Sequence, residues 1–166
     1  MHFITLSSNL IITGSTGSGK TYLACALGVE ACKHQYRTYY IKMQTLIKRI
    51  DDLATNQKQL KIFLRRLANY SLLIIDEWLT YRPSEKEIKF LYELFDLRSG
   101  VNSTIFVSQF DKSKWHERLG GGMHADSIMD RIIHNSYVLP SSKNNIRKIK
   151  YNENLALQID ELQKEN

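Results

Sequence analysis

One stretch near the start of this chain restricts its fold more than any other. "LIITGSTGSGKTYLACAL" (10–27) runs from an apolar segment into a glycine-rich turn and then into a helix-forming segment with apolar residues at Leu23, Ala24 and Leu27. Gly14 to Thr21, "GSTGSGKT", has the spacing G-x-x-x-x-G-K-[ST] of a phosphate-binding loop. Gly14 and Gly19 permit backbone angles that a side chain forbids, so successive N–H groups across Ser15, Thr16, Gly17 and Ser18 can converge on phosphate oxygens. The helix opening near Lys20 adds the positive end of its dipole. Lys20 is expected to reach the β and γ phosphates, and the Thr21 hydroxyl to ligate Mg²⁺, with Tyr22 next along the helix in the same binding set. A glycine-rich turn holding Lys and Thr by chance would lack the strand before it and the helix after it. The expected ligand is a nucleoside triphosphate, ATP first, although the loop does not read the base.

A second segment completes this chemistry. "LLIIDEW" (72–78) is an apolar strand ending in two carboxylates. Asp76 at the strand's C-terminal end suits a Walker B residue organising Mg²⁺ through water, and Glu77 would polarise an attacking water. An isolated acidic pair after a strand is ordinarily a solvated strand end; beside a phosphate loop it reads as catalytic. Asp-Glu rather than a lone Asp favours hydrolysis over a small-molecule kinase. A third strand, "STIFVSQ" (103–109), ends in Ser108 and Gln109. If it lies between the other two, these side chains stand near the γ-phosphate and sense the nucleotide; the alternative is an ordinary strand-end turn.

The rest of the chain supports an α/β fold. Apolar runs at Leu10 to Thr13, Thr38 to Ile41, Leu72 to Ile75, Thr104 to Ser108 and Tyr137 to Leu139 alternate with longer amphipathic segments. That alternation predicts a parallel sheet with helices on both faces. Unbroken runs such as "LLII" suit central strands covered on both sides. At 166 residues, with no linker or internal repeat, one domain is expected. Cys25 and Cys32 share a predicted helix about 10 Å apart, too far for a disulfide, and are expected to be buried reduced thiols. The histidines show no metal-ligand spacing. No apolar run is long enough to span a membrane and no export signal opens the chain, so a cytoplasmic protein is expected.

Charge is distributed unevenly. The formal net charge is +6, yet between Lys33 and Asn69 nine basic residues face two acidic ones, which concentrates +7 there and leaves about −1 elsewhere. "MQTLIKRIDDLATNQKQLKIFLRRLAN" (43–69) reads as two helices, with Leu46, Ile50 and Leu53 on one apolar face and Leu60, Phe63, Leu64 and Leu67 on another. Lys48, Arg49, Lys61, Arg65 and Arg66 fall outside those stripes and could meet DNA phosphates with little sequence preference. A solvated helix face is the alternative. Few aromatics are interleaved, so base stacking is not expected.

"NLIITGSTGSGKTYLACALG", "LLIIDEW" and above all "STIFVSQFDKSKWHERLGGGMHADSIMDRIIHNSYVL" resemble the IstB-type ATPases, helpers of insertion-sequence transposition related to helicase loaders of the DnaC type. The likeness runs from about Asn9 to Tyr151. It implies a P-loop NTPase of the AAA+ type, a three-layer sandwich with a central parallel sheet in the order 5-1-4-3-2. It also implies an ATP hydrolase, weak without DNA or assembly, that forms homo-oligomers on DNA and regulates a transposase. Arg131, in "MDRIIH", matches the family's arginine finger, which reaches a neighbouring subunit's γ-phosphate; a surface ion pair with Asp130 is the alternative. Arg147 matches a possible second sensor, although Lys-Asn-Asn replaces the usual Gly-Glu-Ser before it. Trp115 and His116 are similar to family residues, though a core tryptophan and a surface histidine would explain them equally. The resemblance also implies an ATPase core over 1–151, without the helical N-terminal region usual in the family; the residues of 152–166 themselves read as a frayed tail or a short helix with Leu155, Ile159 and Leu162 on one face. Two other readings stay open: an ATP-switched adaptor gripping a replicative helicase, and a nucleotide-binding remnant without turnover.

Overall fold

Side-chain alternation along the strands builds two cores. In the computed structural model, which describes residues 1–140, β1 (Asn9–Thr13) turns Leu10 and Ile12 to one face and Ile11 to the other. β3 (Leu72–Asp76) repeats the pattern, with Leu72 and Ile74 on the first face and Leu73 and Ile75 on the second. In β4 (Ser103–Ser108), Ile105 and Val107 oppose Phe106 in the same way. This is the two-residue period of a sheet covered on both sides. β2 (Thr38–Lys42) and β5 (Ser136–Pro140) form its edges.

All strand pairings are parallel, and the order is β2-β3-β4-β1-β5, the expected 5-1-4-3-2 read from the other edge. β4 therefore lies between β1 and β3, so the ends of all three come together at one edge of the sheet. One face is covered by the short α1 (His2–Thr5) and by α2 (Lys20–Lys33). The other carries α3 (Met43–Leu53), α4 (Gln57–Ala68), α5 (Glu85–Arg98), α6 (Trp115–Arg118) and α7 (Gly122–Ile133). Three layers result, as expected. No helix among the described residues is long and apolar enough to cross a membrane. Arg147 and the Leu155, Ile159 and Leu162 face of the tail lie outside the described residues.

Two local expectations are corrected in α2. Of the expected Leu23, Ala24 and Leu27, Ala24 is buried and Leu27 packs partly against the core, but Leu23 is exposed and Gly28 and Ala31 complete the buried stripe; both cysteines are exposed rather than buried. The cause is a close approach to the sheet: a Cβ on Gly28 would stand 2.8 Å from Ile74 Cδ1. Only small residues fit where α2 meets β3, so Leu23 turns outward and Leu27 is only partly buried. α3 and α4 bury Met43, Leu46, Ile47 and Ile50, and Leu64, Leu67 and Ala68, respectively. Leu60 and Phe63 pack partly against this core, so the expected stripes hold with small shifts.

Arg98 ends α5 inside the protein. Its guanidinium donates to the carbonyls of Leu67 at 2.7 Å, Ala68 at 3.1 Å and Tyr70 at 2.8 Å, to the Ser103 carbonyl, and to the Thr104 hydroxyl at 3.0 Å. Burial lowers its pKa to about 9. The carbonyl dipoles offset part of that desolvation, because Arg98 fastens the end of α4 to the starts of β3 and β4.

Candidate nucleotide site

The turn after β1 has the backbone its sequence requires. Gly14, Gly17 and Gly19 take φ of 153°, 83° and 86°, a region that a side chain strains, and Gly19 forms the left-handed N-cap of α2. Ser15 and Thr16 are exposed while Ser18 is buried. Lys20 folds back over the loop, donating from Nζ to the Ser15 carbonyl at 2.6 Å and to Ser18 Oγ at 3.5 Å. Tyr22 is 81% exposed, beside the loop on the outer side of α2.

Alternation along β3 sends Asp76, like Leu72 and Ile74, towards α2. There the Thr21 hydroxyl donates to Asp76 Oδ2 at 2.9 Å. The two residues expected to organise one metal ion, 55 positions apart, are in direct contact. Asp76 is buried, and its Oδ1 accepts from the Glu77 N–H at 2.8 Å. Glu77 has a φ of 58°, outside the strand geometry, so its carboxylate leaves the sheet edge and pairs with Lys42 Nζ at 2.8 Å. That pairing raises the Lys42 pKa.

Sequence motifs missed two members of this cluster, Lys42 and Tyr40. The Tyr40 hydroxyl lies 2.7 Å from Asp76 Oδ2, and burial together with that carboxylate raises its pKa, so it remains a donor. Burial, then the charge of Asp76, also raises the pKa of the Cys25 thiol. A signal for both missed residues was present. Lys42 pairs with Asp76 in register and Tyr40 stands two residues earlier, so both share the Asp76 face of the sheet.

The end of β4 divides its expected roles. Gln109 is exposed and its Oε1 accepts from the Thr16 hydroxyl at 3.3 Å, which places it against the phosphate loop. Ser108 is fully buried; its hydroxyl donates to the Trp78 carbonyl at 2.9 Å and accepts from the Phe110 N–H at 3.1 Å. It holds the turn carrying Glu77 instead of facing the loop. That turn contains a second left-handed residue, Leu79, with φ 57°. Trp78, between them, is fully buried against Phe95, Phe106 and Trp115. Arg118 donates to the carbonyls of Leu79 and Thr80 from the opposite side. Trp115 is thus a core residue, while the ring of His116 stands 2.9 Å from Asp126.

Arg131 is not brought to this site. Asn9 Nδ2 donates to the Ile132 carbonyl at 3.2 Å, so that part of α7 lies beside the start of β1, about 15 Å of strand away from Gly14. Arg131 bonds Asp96 Oδ1 at 2.6 Å and stacks over the Tyr92 ring at 4.8 Å, with 23% of its side chain exposed. The expected alternative partner, Asp130, pairs with His134 instead.

Lys48, Arg49, Lys61, Arg65 and Arg66 are all exposed on α3 and α4. Not every residue of the basic stretch is available: Lys33 pairs with Glu30 and Lys42 with Glu77. Aromatic rings adjoin this surface, with Arg37 over Tyr70 at 5.5 Å and Tyr70 stacked on Tyr39 at 4.9 Å.

Comparison with known proteins agrees with this geometry. The family model described as IstB-like ATP binding protein matches residues 1–154. An insertion sequence ATP-binding protein of Sinorhizobium fredii is 33% identical over 148 residues, covering 89% of this chain and 59% of the relative. The ATP-binding protein of insertion sequence IS232 from Bacillus thuringiensis is 32% identical, over 84% of this chain and 55% of its own length. The chain thus spans somewhat more than half the length of these relatives. Among solved structures, the DnaC helicase loader superposes with a TM-score of 0.72 at 23% identity, covering 84% of this chain and 81% of that one. AMPPCP-bound DnaA from Aquifex aeolicus gives 0.72 at 21% identity, covering 91% of this chain and 48% of that one. At these identities the structural likeness establishes the fold, that of the P-loop AAA+ proteins.

Proposed function

This chain belongs to the IstB-like ATP binding protein family, and from that premise we propose that it is a DNA-responsive ATP hydrolase that works as an assembly of identical copies and regulates a transposase. The observation that carries the proposal is the contact between Thr21 and Asp76, which joins the phosphate loop to the acidic strand end.

The residues present fit a nucleotide with its metal ion. Gly14, Ser15, Thr16, Gly17, Ser18, Gly19 and Lys20 would cradle the phosphates, with Tyr22 beside them, and Thr21 and Asp76 would hold Mg²⁺. The ion would supply charge neutralisation on the transferring phosphoryl group. Glu77 is the carboxylate to polarise water, and Lys42 pairs with the same carboxylate at 2.8 Å. Gln109, touching Thr16, is better placed than Ser108 to report the state of the loop. Arg131 would serve a neighbouring copy, stabilising transition-state charge in trans once freed from Asp96. Lys48, Arg49, Lys61, Arg65 and Arg66 would follow a DNA backbone, giving a salt-sensitive affinity with little sequence preference.

Phosphate release with ATP and with GTP, with and without duplex DNA, tests this reading when light scattering follows the oligomer. Lys20→Ala is expected to abolish nucleotide binding, while Glu77→Gln keeps binding and stops turnover. Retained ATP affinity in the lysine variant would refute the site. Capture with a transposase or a replicative helicase identifies the protein partner, and selective helicase capture would replace the transposase reading with the adaptor reading.

A further inference from the structure

Tyr40 belongs to none of the nucleotide-binding motifs, yet it makes one of the shortest side-chain contacts in the site. Its hydroxyl reaches Asp76 Oδ2 at 2.7 Å, the oxygen that also accepts from Thr21 at 2.9 Å. The other oxygen, Oδ1, accepts from the Glu77 N–H at 2.8 Å. An ionised carboxylate has about four acceptor positions. These donors occupy all but about one of them and fix the plane of the carboxyl group from separate directions: α2, the edge strand β2, and the chain itself. The side-chain torsion that sets that plane has broad minima, so hydrogen bonds must do the fixing.

We propose that Tyr40 is a positioning residue for the metal-organising carboxylate, orienting Asp76 so that nucleotide and Mg²⁺ are gripped together. This rests on the assignment of Thr21 and Asp76 to the metal ion. Tyr40 acts through Asp76 and touches neither the nucleotide nor the reacting atoms. With a metal ion bound, Thr21 would turn to it, and Asp76 Oδ2 would then keep Tyr40 as its side-chain donor. Partners of this kind, one bond removed from a metal ion, typically alter metal affinity about 10- to 100-fold when removed. Tyr40 is 37% exposed, so water can replace part of the lost hydrogen bond, and the lower end of that range applies.

The test compares wild type, Tyr40→Phe and Tyr39→Phe by titrating a fluorescent ATP analogue at a series of Mg²⁺ concentrations, starting from EDTA. Tyr40→Phe keeps the whole ring at a partly exposed position, so the fold persists, and melting curves check it. Tyr39 is the control, because its ring stacks on Tyr70. Tyr40→Phe is expected to bind the analogue in EDTA as wild type does and to need about tenfold more Mg²⁺ for half-maximal tight binding. Tyr39→Phe should match wild type throughout. An unchanged Mg²⁺ midpoint in Tyr40→Phe overturns the inference, even if its melting temperature falls, because that pattern describes a hydroxyl that only stabilises the fold. Failure of the underlying assignment is visible separately: wild-type binding would then show no Mg²⁺ dependence.

Discussion

Ser108 and Gln109 are adjacent polar residues at the end of one strand, and their surroundings give them different tasks. Ser108→Ala leaves the Trp78 carbonyl without its donor inside the core, a loss of about 1–3 kcal/mol. Its nucleotide affinity should be unchanged, measured by denaturant unfolding alongside analogue binding. Gln109→Ala should do the reverse, keeping stability while lowering turnover. Sequence could not separate the two, since a hydroxyl aimed at a carbonyl 30 positions away has no local signature. Lys42, by contrast, could have been found from its strand position opposite Asp76. Its ammonium engages Glu77 in a partly exposed pair, which ties one carboxylate oxygen to a cation instead of leaving it free to accept from an attacking water. Lys42→Met is therefore expected to raise phosphate release in the absence of DNA, and a fall would mean that the pair holds Glu77 in its working position.

Secondary-structure elements were the more legible scale. The central strands β1, β3 and β4 were visible as apolar runs because both faces of the sheet are covered there, whereas the apolar run of edge strand β5 is exposed; the loop motif fixed where α2 begins. The side of α2 that is buried was not legible, because it depends on the distance to β3, and that distance is set by Gly28. Gly28→Val should push Ile74 aside and cost about 1–3 kcal/mol, with weaker nucleotide binding as Thr21 moves relative to Asp76. Arg98 was equally hidden, reading in sequence as one more charge near a helix end. Arg98→Met would take a donor from the carbonyls of Leu67, Tyr70 and Ser103 and leave Ala68 only that of Asn102, and unfolding should show a loss of about 1–3 kcal/mol for a carbonyl left unpaired.

Across the whole molecule, the basic surface of α3 and α4 and the remote Arg131 give the predictions of widest reach. If DNA lies along Lys61 and Arg65, replacing either with Ala should lower the slope of log affinity against log salt by about one. Lys20→Ala and Arg131→Ala should each be inactive alone, and a mixture of the two should regain phosphate release, because each supplies what the other lacks. No recovery would argue that Arg131 serves only to hold Asp96. The arginine sits by the start of β1 and the phosphate loop by its end, so under the proposed trans role each copy would carry plug and socket at opposite poles. Copies joined in this manner stack head to tail with a direction. An open row then always ends in one empty socket, so output per copy climbs as the row lengthens and levels off only when the row is long or closes on itself.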